Sequence, residues 1–476
     1  MKLQIAFLTA VISLLQAVCS QGTVHYVNLN SISPISPYSS WSTAATNIQD
    51  AVDVATNGDI VLVTNGVYKT GSQADEYGVS NRVAVTKSIT LQSINGPAVT
   101  LIDGGGVVRC VYLTNSTMLI GFTLTNGVAS GNGGGVWCED ISAVVSNCVL
   151  TDNSTASLGA GAYGGTLNNC TLTNNNLNGF FNAGGGAAYC TLNNCFLVGN
   201  NAINTEGGGA YASTLNSCLV SGNYAYQDGG GAYASTLNNC TLVNNFAWDE
   251  GAGADISTLN NCIEYYNRDT GFDFLTSTYN NCCTDQLPNN GEGNFTNAPL
   301  FVDYAGSDYH LQSNSPCINA GNNTYVTTTN DLDGNPRIKG GTVDIGAYEY
   351  QTPTSIISYA WLQQYGLPTD GSVDHADLDG NGMNVYQDWI AGLNPTNALS
   401  VLQMMSPMST NNPPGLVVSW QSVNTRTYYL QSTTNLAARP VFSTIQSNIV
   451  GQAGTTSFTD TTATNGGPYF YRVGVQ

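Results

Sequence analysis

The sequence has 476 residues, 42% of them hydrophobic and 9% aromatic, with 31 acidic side chains against 11 basic ones and a net charge of −20. The apolar and aromatic content argues against a disordered chain, and the length allows two or three domains. The acidic balance argues against nucleic acid and anionic lipid as partners, because phosphate groups need cationic contacts.

The first twenty residues have the features of an export signal. Lys2 precedes an apolar run from Leu3 to Val18, and small residues then offer a cleavage site near Gln21. The run is short for a membrane span and lacks a basic stop-transfer flank. We therefore expect residues 1–20 to be removed, which leaves 10 basic against 31 acidic side chains, a net charge of −21. The mature protein is predicted to be secreted, extracellular or on the cell surface, with no membrane span.

Residues 47–55 predict a short amphipathic helix, and residues 59–63 and 66–68 predict strands. A helix over the first coil of a sheet structure would cover an open edge, as a cap does. The segment NIQDAVDVA, followed by GDIVLV, resembles the start of the pectate-lyase-like β-helix superfamily. That resemblance implies a right-handed parallel β-helix.

The middle of the chain repeats one short unit at a fixed interval. One copy runs GGGAYASTLNSCLVSGN from Gly207, and the next runs GGGAYASTLNNCTLVNN from Gly229. A fixed period of this kind indicates a solenoid, and short alternating strands broken by Gly and Asn indicate β coils rather than helical repeats. We predict three strands and three turns per coil, with Cys, Leu and Ala in interior columns and Asn at the turns. Other copies begin near Gly133, Gly159 and Gly184, and a degenerate one begins at Gly251.

Cysteines recur at one place in this repeat. Stacked coils place equivalent side chains one strand spacing apart, which does not give the shorter Cβ separation of a disulfide. The column is therefore predicted to be a stack of buried free thiols, whereas pairing among Cys282, Cys283 and Cys317 is left open. The recurring cysteines are Cys148, Cys170, Cys195, Cys218, Cys240, Cys262 and Cys282.

Two further resemblances concern the helix and its end. The repeats over residues 133–267 resemble those of the chlamydial polymorphic outer-membrane proteins, which are surface adhesins. Residues 297–349, with NAPLFVD, SPCINAG, DLDGNPR and DIGAYE, are similar to the terminal segment of bacterial β-helix proteins of the choice-of-anchor Q type. That type is defined by architecture and not by a reaction. Arg337 is predicted to form a structural ion pair with Asp344 or Glu349 in the end cap.

Composition shifts at Pro353, and residues 353–399 predict a helix-loop-helix module. Residues 355–365 predict a helix, and residues 377–388 place oxygen ligands at positions 1, 3, 5 and 12 with Gly at position 6, the pattern of a twelve-residue calcium loop. The loop resembles those of EF-hands and dockerins, although position 12 is Asp instead of Glu and no second copy is present. A solvated acidic turn is the alternative, and Asp370 or Asp374 could add ligands. The predicted Ca²⁺ ligands are Asp377, Asp379, Asn381, the carbonyl of Met383, and Asp388.

Residues 400–476 predict a small β-sandwich. Strands are expected at 416–420, 427–431 and 469–473. A Trp on an early strand and a Tyr-x-Tyr strand near the end resemble a fibronectin type III module.

Catalytic templates of β-helix enzymes do not fit the coils. Lyases on this fold use Lys or Arg to take the α-proton of a uronate, but there is no Lys, Arg or His between Arg109 and Arg268. The galacturonan hydrolases use clustered Asp residues beside a His, and His25, His310 and His375 all lie outside the coils.

One set of carboxylate and aromatic residues in the coils is a candidate binding site. Three carboxylates at the same place in successive copies each precede a glycine corner, with aromatic residues at the same interval nearby. Rings stack on pyranose faces, and carboxylates accept hydrogen bonds from hydroxyls, so the set could bind a glycan or Ca²⁺; a duplicated solvated turn and a catalytic site are the alternatives. Mutual repulsion predicts that at least the middle carboxylate titrates above the ordinary range. The candidate residues are Glu206, Asp228, Glu250, Tyr226 and Trp248.

The sequence thus predicts an all-β protein, with a right-handed parallel β-helix solenoid over residues 21–352 that begins with a helical cap. The calcium module follows at 353–399 and the sandwich at 400–476. The predicted function is non-catalytic binding of a polysaccharide or cell-surface glycan by an adhesin-like monomer. The alternative is a polysaccharide lyase or glycoside hydrolase acting on acidic or plant or algal polysaccharide.

Overall fold

The computed structural model describes residues 22–180, 182–269, 276–411 and 414–476. The predicted export signal at 1–20 lies outside the described residues. The chain divides into two compact units, residues 1–191 and 192–476, and the predicted boundaries after 352 and 399 stay predictions. No helix in the described ranges is long and apolar enough to cross a membrane.

In each unit the coils are built from short strands at up to four positions. Strands at the same position of successive coils pair in parallel, as Leu215 pairs with Leu237 at position 1 and Val220 with Leu242 at position 2. This pairing confirms the parallel β-helix. The expected three strands per coil were wrong by one, because the segment after the Asn turn forms an additional, very short strand, such as Tyr224–Ala225.

The first unit contains coils with strands at all four positions. Position 1 holds Val24–Val27, Ile60–Val63, Thr90–Ser93, Met118–Ile120, Val144–Ser146 and Thr166–Asn168, with Thr191–Asn193 at the boundary. Position 2 holds Gly66–Tyr68, Thr100–Asp103, Thr123–Thr125, Val149–Thr151 and Thr171–Thr173. Position 3 holds Val128–Ala129, Ser154–Thr155 and Asn176–Leu177. Position 4 holds Ser80–Val85, Arg109–Leu113, Val136–Cys138, Ala162–Tyr163 and Ala187–Ala188, and Gln73–Ala74 pairs antiparallel with Ser80–Val85 at the edge of this sheet.

The second unit repeats the same coil before its C-terminal segments. Position 1 holds Thr214–Asn216, Thr236–Asn238, Thr258–Asn260 and Thr278–Asn280. Position 2 holds Phe196–Val198, Leu219–Ser221, Thr241–Val243, Ile263–Tyr265 and Cys283–Thr284. Position 3 holds Asn201–Ala202, Tyr224–Ala225 and Phe246–Ala247. Position 4 holds Ala210–Tyr211, Ala232–Tyr233 and Ala254–Asp255.

Buried asparagines stack at the turn before position 3. The Asn223 side chain donates from Nδ2 to Asn245 Oδ1 at 3.0 Å and accepts from Asn200 Nδ2 at 3.0 Å. All three residues are at most 1% exposed, so each amide replaces the water it has lost with a neighbour's amide. Other asparagines, such as Asn147 and Asn239 with φ of 52°, take the left-handed conformation at the turn before position 2. The predicted placement of Asn at the turns is confirmed.

The cysteine column is confirmed as an interior stack of free thiols. The amide of Cys218 donates to the sulfur of Cys240 at 3.4 Å, and the amide of Cys240 donates to the sulfur of Cys262 at the same distance. Burial is the main cause that raises the pKa of the Cys218 and Cys262 thiols well above the ordinary value. No disulfide joins any of the described cysteines, which are Cys110, Cys138, Cys148, Cys170, Cys190, Cys195, Cys218, Cys240, Cys262, Cys282, Cys283 and Cys317.

This column predicts a large difference in thiol reactivity between the folded and unfolded protein. A thiol-specific reagent should label few or none of the column thiols in the native protein, because they are buried and the reagent cannot reach them. In denaturant without a reductant it should label at least five. Disulfides between successive column members, detected by mass spectrometry, would contradict the stacked-thiol structure.

A short helix, α1 (Ile48–Val54), precedes the first complete coils, where residues 47–55 predicted it. The side chain of Asn47 caps it by accepting from the amide of Gln49, and the buried face includes Ile48 and Val52. Lys87 Nζ donates to carbonyls at the C-terminal end of the helix, including Ala55 O at 2.8 Å, where a cation is favoured by the helix dipole. Its role as a cap on the solenoid stays a prediction.

The predicted end-cap ion pair is present in the second unit. Arg337 lies 3.5 Å from a carboxylate oxygen of Glu349, and both side chains are at most 1% exposed. The guanidinium also donates to the carbonyls of Ala347, Asp344 and Gly346 at 2.8 to 3.0 Å. An antiparallel hairpin, Phe301–Asp303 with Asp308–Leu311, packs in the same core.

The C-terminal part of the second unit contains two short helices and two small sheets. Helix α2 (Tyr359–Gln364) begins later than predicted, because Ser355 and Ile356 donate to Asp374 instead of entering the helix. Helix α3 (Val385–Ala391) follows the acidic loop. One antiparallel sheet contains Met408–Asn411, Pro414–Ser422 and Gly454–Asp460, and the other contains Ser443–Val450, Thr427–Thr433 and Phe470–Val475. Both sheets contribute to one core with buried Val418, Trp420, Tyr428 and Leu430.

Candidate functional site

The three predicted carboxylates lie in register at the corner between positions 3 and 4. The amide of Gly207 donates to the carbonyl of Asp228, and that of Gly229 donates to the carbonyl of Glu250. Gly229 has a φ of 65°, and a Cβ there would lie 2.5 Å from the carbonyl oxygen of Ala232. Only glycine fits this turn without strain, so the corner fixes the stacking of the residues before it.

The carboxylates differ in their surroundings. Glu206 accepts from Thr205 Oγ1 at 2.7 Å, and Asp228 accepts from the amide of Glu250 at 3.1 Å. Burial, followed by the charges of neighbouring carboxylates that include Asp249 and Glu250, raises the pKa of Asp228 above its ordinary value. The direction agrees with the expectation for the middle residue, but burial contributes more than like-charge repulsion.

Four aromatic rings form two stacked pairs beside this corner. Tyr226 and Trp248 stack with ring centroids 6.3 Å apart at 10°, and Tyr224 and Phe246 stack at 5.6 Å and 1°. Tyr224 and Ala225 form a two-residue strand, which Tyr226 follows. Because residues i and i+2 of an extended chain point to the same face, both stacks are expected on the outer face, opposite the buried Ala225. Tyr226 is 48% and Trp248 52% exposed. We call Tyr224, Tyr226, Phe246 and Trp248 the four-ring platform.

A further aromatic stack escaped the sequence analysis. Tyr211 and Tyr233, at position 4, stack with ring centroids 5.9 Å apart at 4°. Burial raises the pKa of Tyr233, and the charges of Glu206 and Asp228 add to the effect. The corner carboxylates therefore lie close to the position 4 tyrosines as well. The signal was the Ala-Tyr pair that occurs at this place in three copies of the repeat, at residues 162–163, 210–211 and 232–233.

The acidic loop at 377–388 is folded on its own backbone. Asp377 accepts from the amides of Gly380 and Gly382 at 2.8 and 2.9 Å, and Asn381 accepts from the amide of Met383 at 2.7 Å. Within the described ranges, no three His, Cys, Asp or Glu side chains are grouped closely enough to hold a metal ion as they stand.

Asp388, the last residue of the loop, has a buried oxygen atom without a hydrogen-bond partner. Asp388 is 1% exposed, and its Oδ1 has no hydrogen-bond partner. Burial raises the pKa of Asp388 to about 6, and the charges of Asp379 and Asp377 contribute. A buried oxygen atom without a hydrogen-bond partner lowers the stability of the fold. Such a carboxylate oxygen is suited to be a ligand of a hard cation. Asp370 and Asp374 are engaged elsewhere, with Ser372 and Ser355 respectively.

Two of the three histidines have both ring nitrogens bonded. His25 contacts the carbonyl of Pro37 at 2.7 Å and Asp59 at 3.2 Å. His310 contacts Asp308 at 2.5 Å and Asp333 at 2.7 Å.

No family model and no curated protein matches this sequence. Among solved structures, a pectate lyase superposes with a TM-score of 0.48 and 15% identity, covering 68% of this chain and 96% of that one. A rhamnogalacturonan lyase gives 0.32 and 13%, covering 55% and 73%. A rice weevil pectin methyl esterase gives 0.24 and 12%, covering 50% and 87%. At these identities and TM-scores no activity follows for this chain, and the parallel β-helix rests on its own strand pairing.

Proposed function

We propose that this protein is an exported, non-catalytic β-helix that binds polysaccharide through the four-ring platform and the adjoining carboxylate corner. The observation that carries the proposal is the pair of parallel ring stacks, Tyr226 on Trp248 and Tyr224 on Phe246, on one outer face. Exposed aromatic surface is typical of a binding site, because leaving it in water is unfavourable. Aromatic rings beside hydrogen-bond acceptors fit the faces and hydroxyl groups of sugar rings.

The charges near the platform favour binding over the known lyase and hydrolase mechanisms. The coils from residue 110 to residue 267 contain no Lys, Arg or His that could take a proton or neutralise a uronate. Carboxylates remain as acceptors, so the platform is suited to sugar hydroxyls.

The test is the double substitution Asp228→Asn with Trp248→Ala in the full-length protein. Both side chains are at least partly exposed, so the fold should survive, and circular dichroism should show an unchanged thermal midpoint. We expect affinity for the best ligand from a polysaccharide and oligosaccharide array to fall at least about tenfold, which corresponds to about 1.4 kcal/mol. The matched control is Trp41→Ala with Asp50→Asn, two exposed residues in the first unit, which should leave affinity unchanged.

Two outcomes would contradict the proposal. A folded double variant that binds every ligand as the wild type does would show that the corner is a duplicated turn. Release of unsaturated or reducing ends from any polysaccharide in the same screen would favour the enzyme alternative.

We also propose Ca²⁺ as a ligand of the loop, held by Asp377, Asp379, Asn381, the Met383 carbonyl and Asp388. Calorimetric titration of the full chain with CaCl₂ should show one such site with a Kd of about 10⁻⁴ to 10⁻³ M or tighter, the range of extracellular modules. Asp379→Ala should weaken it at least tenfold, and Asp370→Asn, whose carboxylate bonds Ser372 instead, should not. An isotherm unchanged by Asp379→Ala would exclude this loop.

The remaining modules are proposals of the same kind. The two three-stranded sheets around Trp420 support a fibronectin type III-like sandwich. The buried network of Arg337 supports an end cap of the choice-of-anchor Q type. Export rests on the residues before Gln21.

A further inference from the structure

The first unit carries a separate row of aromatic rings on its position 4 strands. Tyr112 pairs with Trp137, and Trp137 pairs with Tyr163, in adjacent coils. Ring centroids are 5.3 Å apart between Tyr112 and Trp137, 6.3 Å between Trp137 and Tyr163, and 5.7 Å between Tyr163 and Tyr189. Tyr77 adds a ring 5.0 Å from Trp137. We call these five residues the aromatic row.

The row is open to solvent at both ends. Tyr77 is 60% and Tyr189 47% exposed, whereas Tyr112 is almost fully buried by its neighbours. The buried part fixes the rings in place, and the exposed part can be covered by a ligand. Because successive rings come from successive coils, the row runs from coil to coil, a geometry that suits a chain-like ligand more than a single small molecule.

Two exposed glutamates lie at the Tyr77 end of the row. Tyr112 donates its hydroxyl to Glu139 at 2.9 Å, and Tyr77 donates to the other oxygen of Glu139 at 3.3 Å. The Tyr112 hydroxyl is also 3.5 Å from Glu76. A hydrogen bond from Glu139, followed by its charge, raises the pKa of Glu76. Both carboxyl groups thus lie within hydrogen-bond distance of the Tyr112 hydroxyl at the surface.

The nearby guanidinium does not neutralise this pair. Arg109 lies 4.9 Å from the centroid of the Trp137 ring, but it is fully buried and forms its ion pair with Asp75 at 2.7 Å. Of the ion pairs in the described part of the chain, none includes Glu76 or Glu139. The end of the row therefore carries negative charge that a cationic ligand would complement.

We propose that the aromatic row and the Glu76–Glu139 pair bind a polysaccharide that carries protonated amines, as amino sugars do. The rings stack on the sugar faces, and an ammonium group donates its hydrogens to the two carboxylate groups. An acidic polysaccharide is disfavoured, because it would bring more negative charge to a chain whose net charge is −20. The inference rests on the proposed function in that the ligand is a polysaccharide, but it concerns a different set of residues, in the other unit.

The experiment compares three oligosaccharide probes of equal length on the full-length protein. The probes are the hexamers of glucosamine, N-acetylglucosamine and galacturonic acid, titrated by calorimetry at slightly acid pH and low ionic strength, where exposed charges are least screened. We expect the glucosamine hexamer to bind at least ten times more tightly than the acetylated one. Glu76→Gln with Glu139→Gln should abolish that advantage and leave the affinity for the acetylated hexamer unchanged.

Two further variants control for fold and for general charge. Tyr77→Ala with Tyr189→Ala removes the exposed rings and should weaken glucosamine hexamer binding at least fivefold, with an unchanged melting midpoint. Glu292→Gln removes one exposed carboxylate from the second unit and should change nothing. Equal affinity for the amine and acetylated hexamers, or an amine preference that survives the double glutamine variant, would overturn the inference and leave the proposed function standing. No binding of any glycan at either face would overturn both.

Discussion

Replacing Arg337 by Met is expected to destabilise the second unit by about 3 to 5 kcal/mol, the usual cost of removing one partner from a buried ion pair. The guanidinium is 1% exposed and lies 3.5 Å from the fully buried carboxylate of Glu349. It also holds three carbonyl groups of the segment 344–347. A Met side chain has similar length but leaves the carboxylate and these carbonyls without their cation. Urea unfolding followed by circular dichroism measures the change.

The loss should depend on pH. Burial raises the pKa of both Asp344 and Glu349 from ordinary values of 3.8 and 4.5, so the folded protein holds protons that the unfolded chain releases as pH rises through and above those values. The contribution of the pair to stability therefore falls as pH rises. The charge of Arg337 lowers the pKa of both carboxyl groups, and it stabilises them only where they are ionised. The loss on removing Arg337 should therefore be larger at pH 8 than at pH 5.5. The control is Arg472→Met, a partly exposed arginine, which should cost less than about 1 kcal/mol; an equally small loss for Arg337→Met would contradict the proposed role of the network.

Replacing Asn223 by Leu is expected to cost about 3 kcal/mol or more, although Leu is similar in size and more apolar. The Asn223 amide donates to Leu197 O at 2.9 Å and to Asn245 Oδ1 at 3.0 Å, and its oxygen accepts from the backbone and side-chain amides of Asn200. Leu would leave these buried groups without partners, and each such group costs about 1 to 3 kcal/mol. Thermal unfolding of the variant would measure this loss.

The matched control is Asn95→Leu. Asn95 donates to Asn65 at 2.7 Å in an exposed pair, where water replaces the lost partner, so the change should be within about 0.5 kcal/mol. If Asn223→Leu were as mild as Asn95→Leu, the interior ladder would contribute little to the stability of the β-helix.

The interior of the coils could be predicted from the sequence because the repeat places the same residue type at the same position in successive coils. Stacking places Leu215 on Leu237 and Cys218 on Cys240. A column of identical apolar residues is expected in the interior of the coils. The short strands at position 3 were missed because Tyr224–Ala225 and its equivalents are too short for a pattern of alternation. The late start of α2 was missed because it depends on the contact between Ser355 and Asp374, which are distant in sequence.

The aromatic row was missed for a different reason. Tyr112, Trp137 and Tyr163 follow one another at wider and unequal intervals, so the early coils do not keep the regular period that made Tyr226 and Trp248 visible. Glu76 and Glu139 are far apart in the sequence and meet only because one precedes a position 4 strand and the other follows one. To predict which surface residues of a solenoid lie together, the register of each coil must be known. Turns of irregular length make that register hard to read from the sequence.

The most direct test of the central claim is to locate a bound saccharide by crystallography. The oligosaccharide that binds most tightly in the array would be co-crystallised with the full-length protein. We predict a sugar ring stacked on Tyr226 and Trp248, with a hydroxyl group within hydrogen-bond distance of Asp228. A saccharide bound on neither the four-ring platform nor the aromatic row would contradict the account.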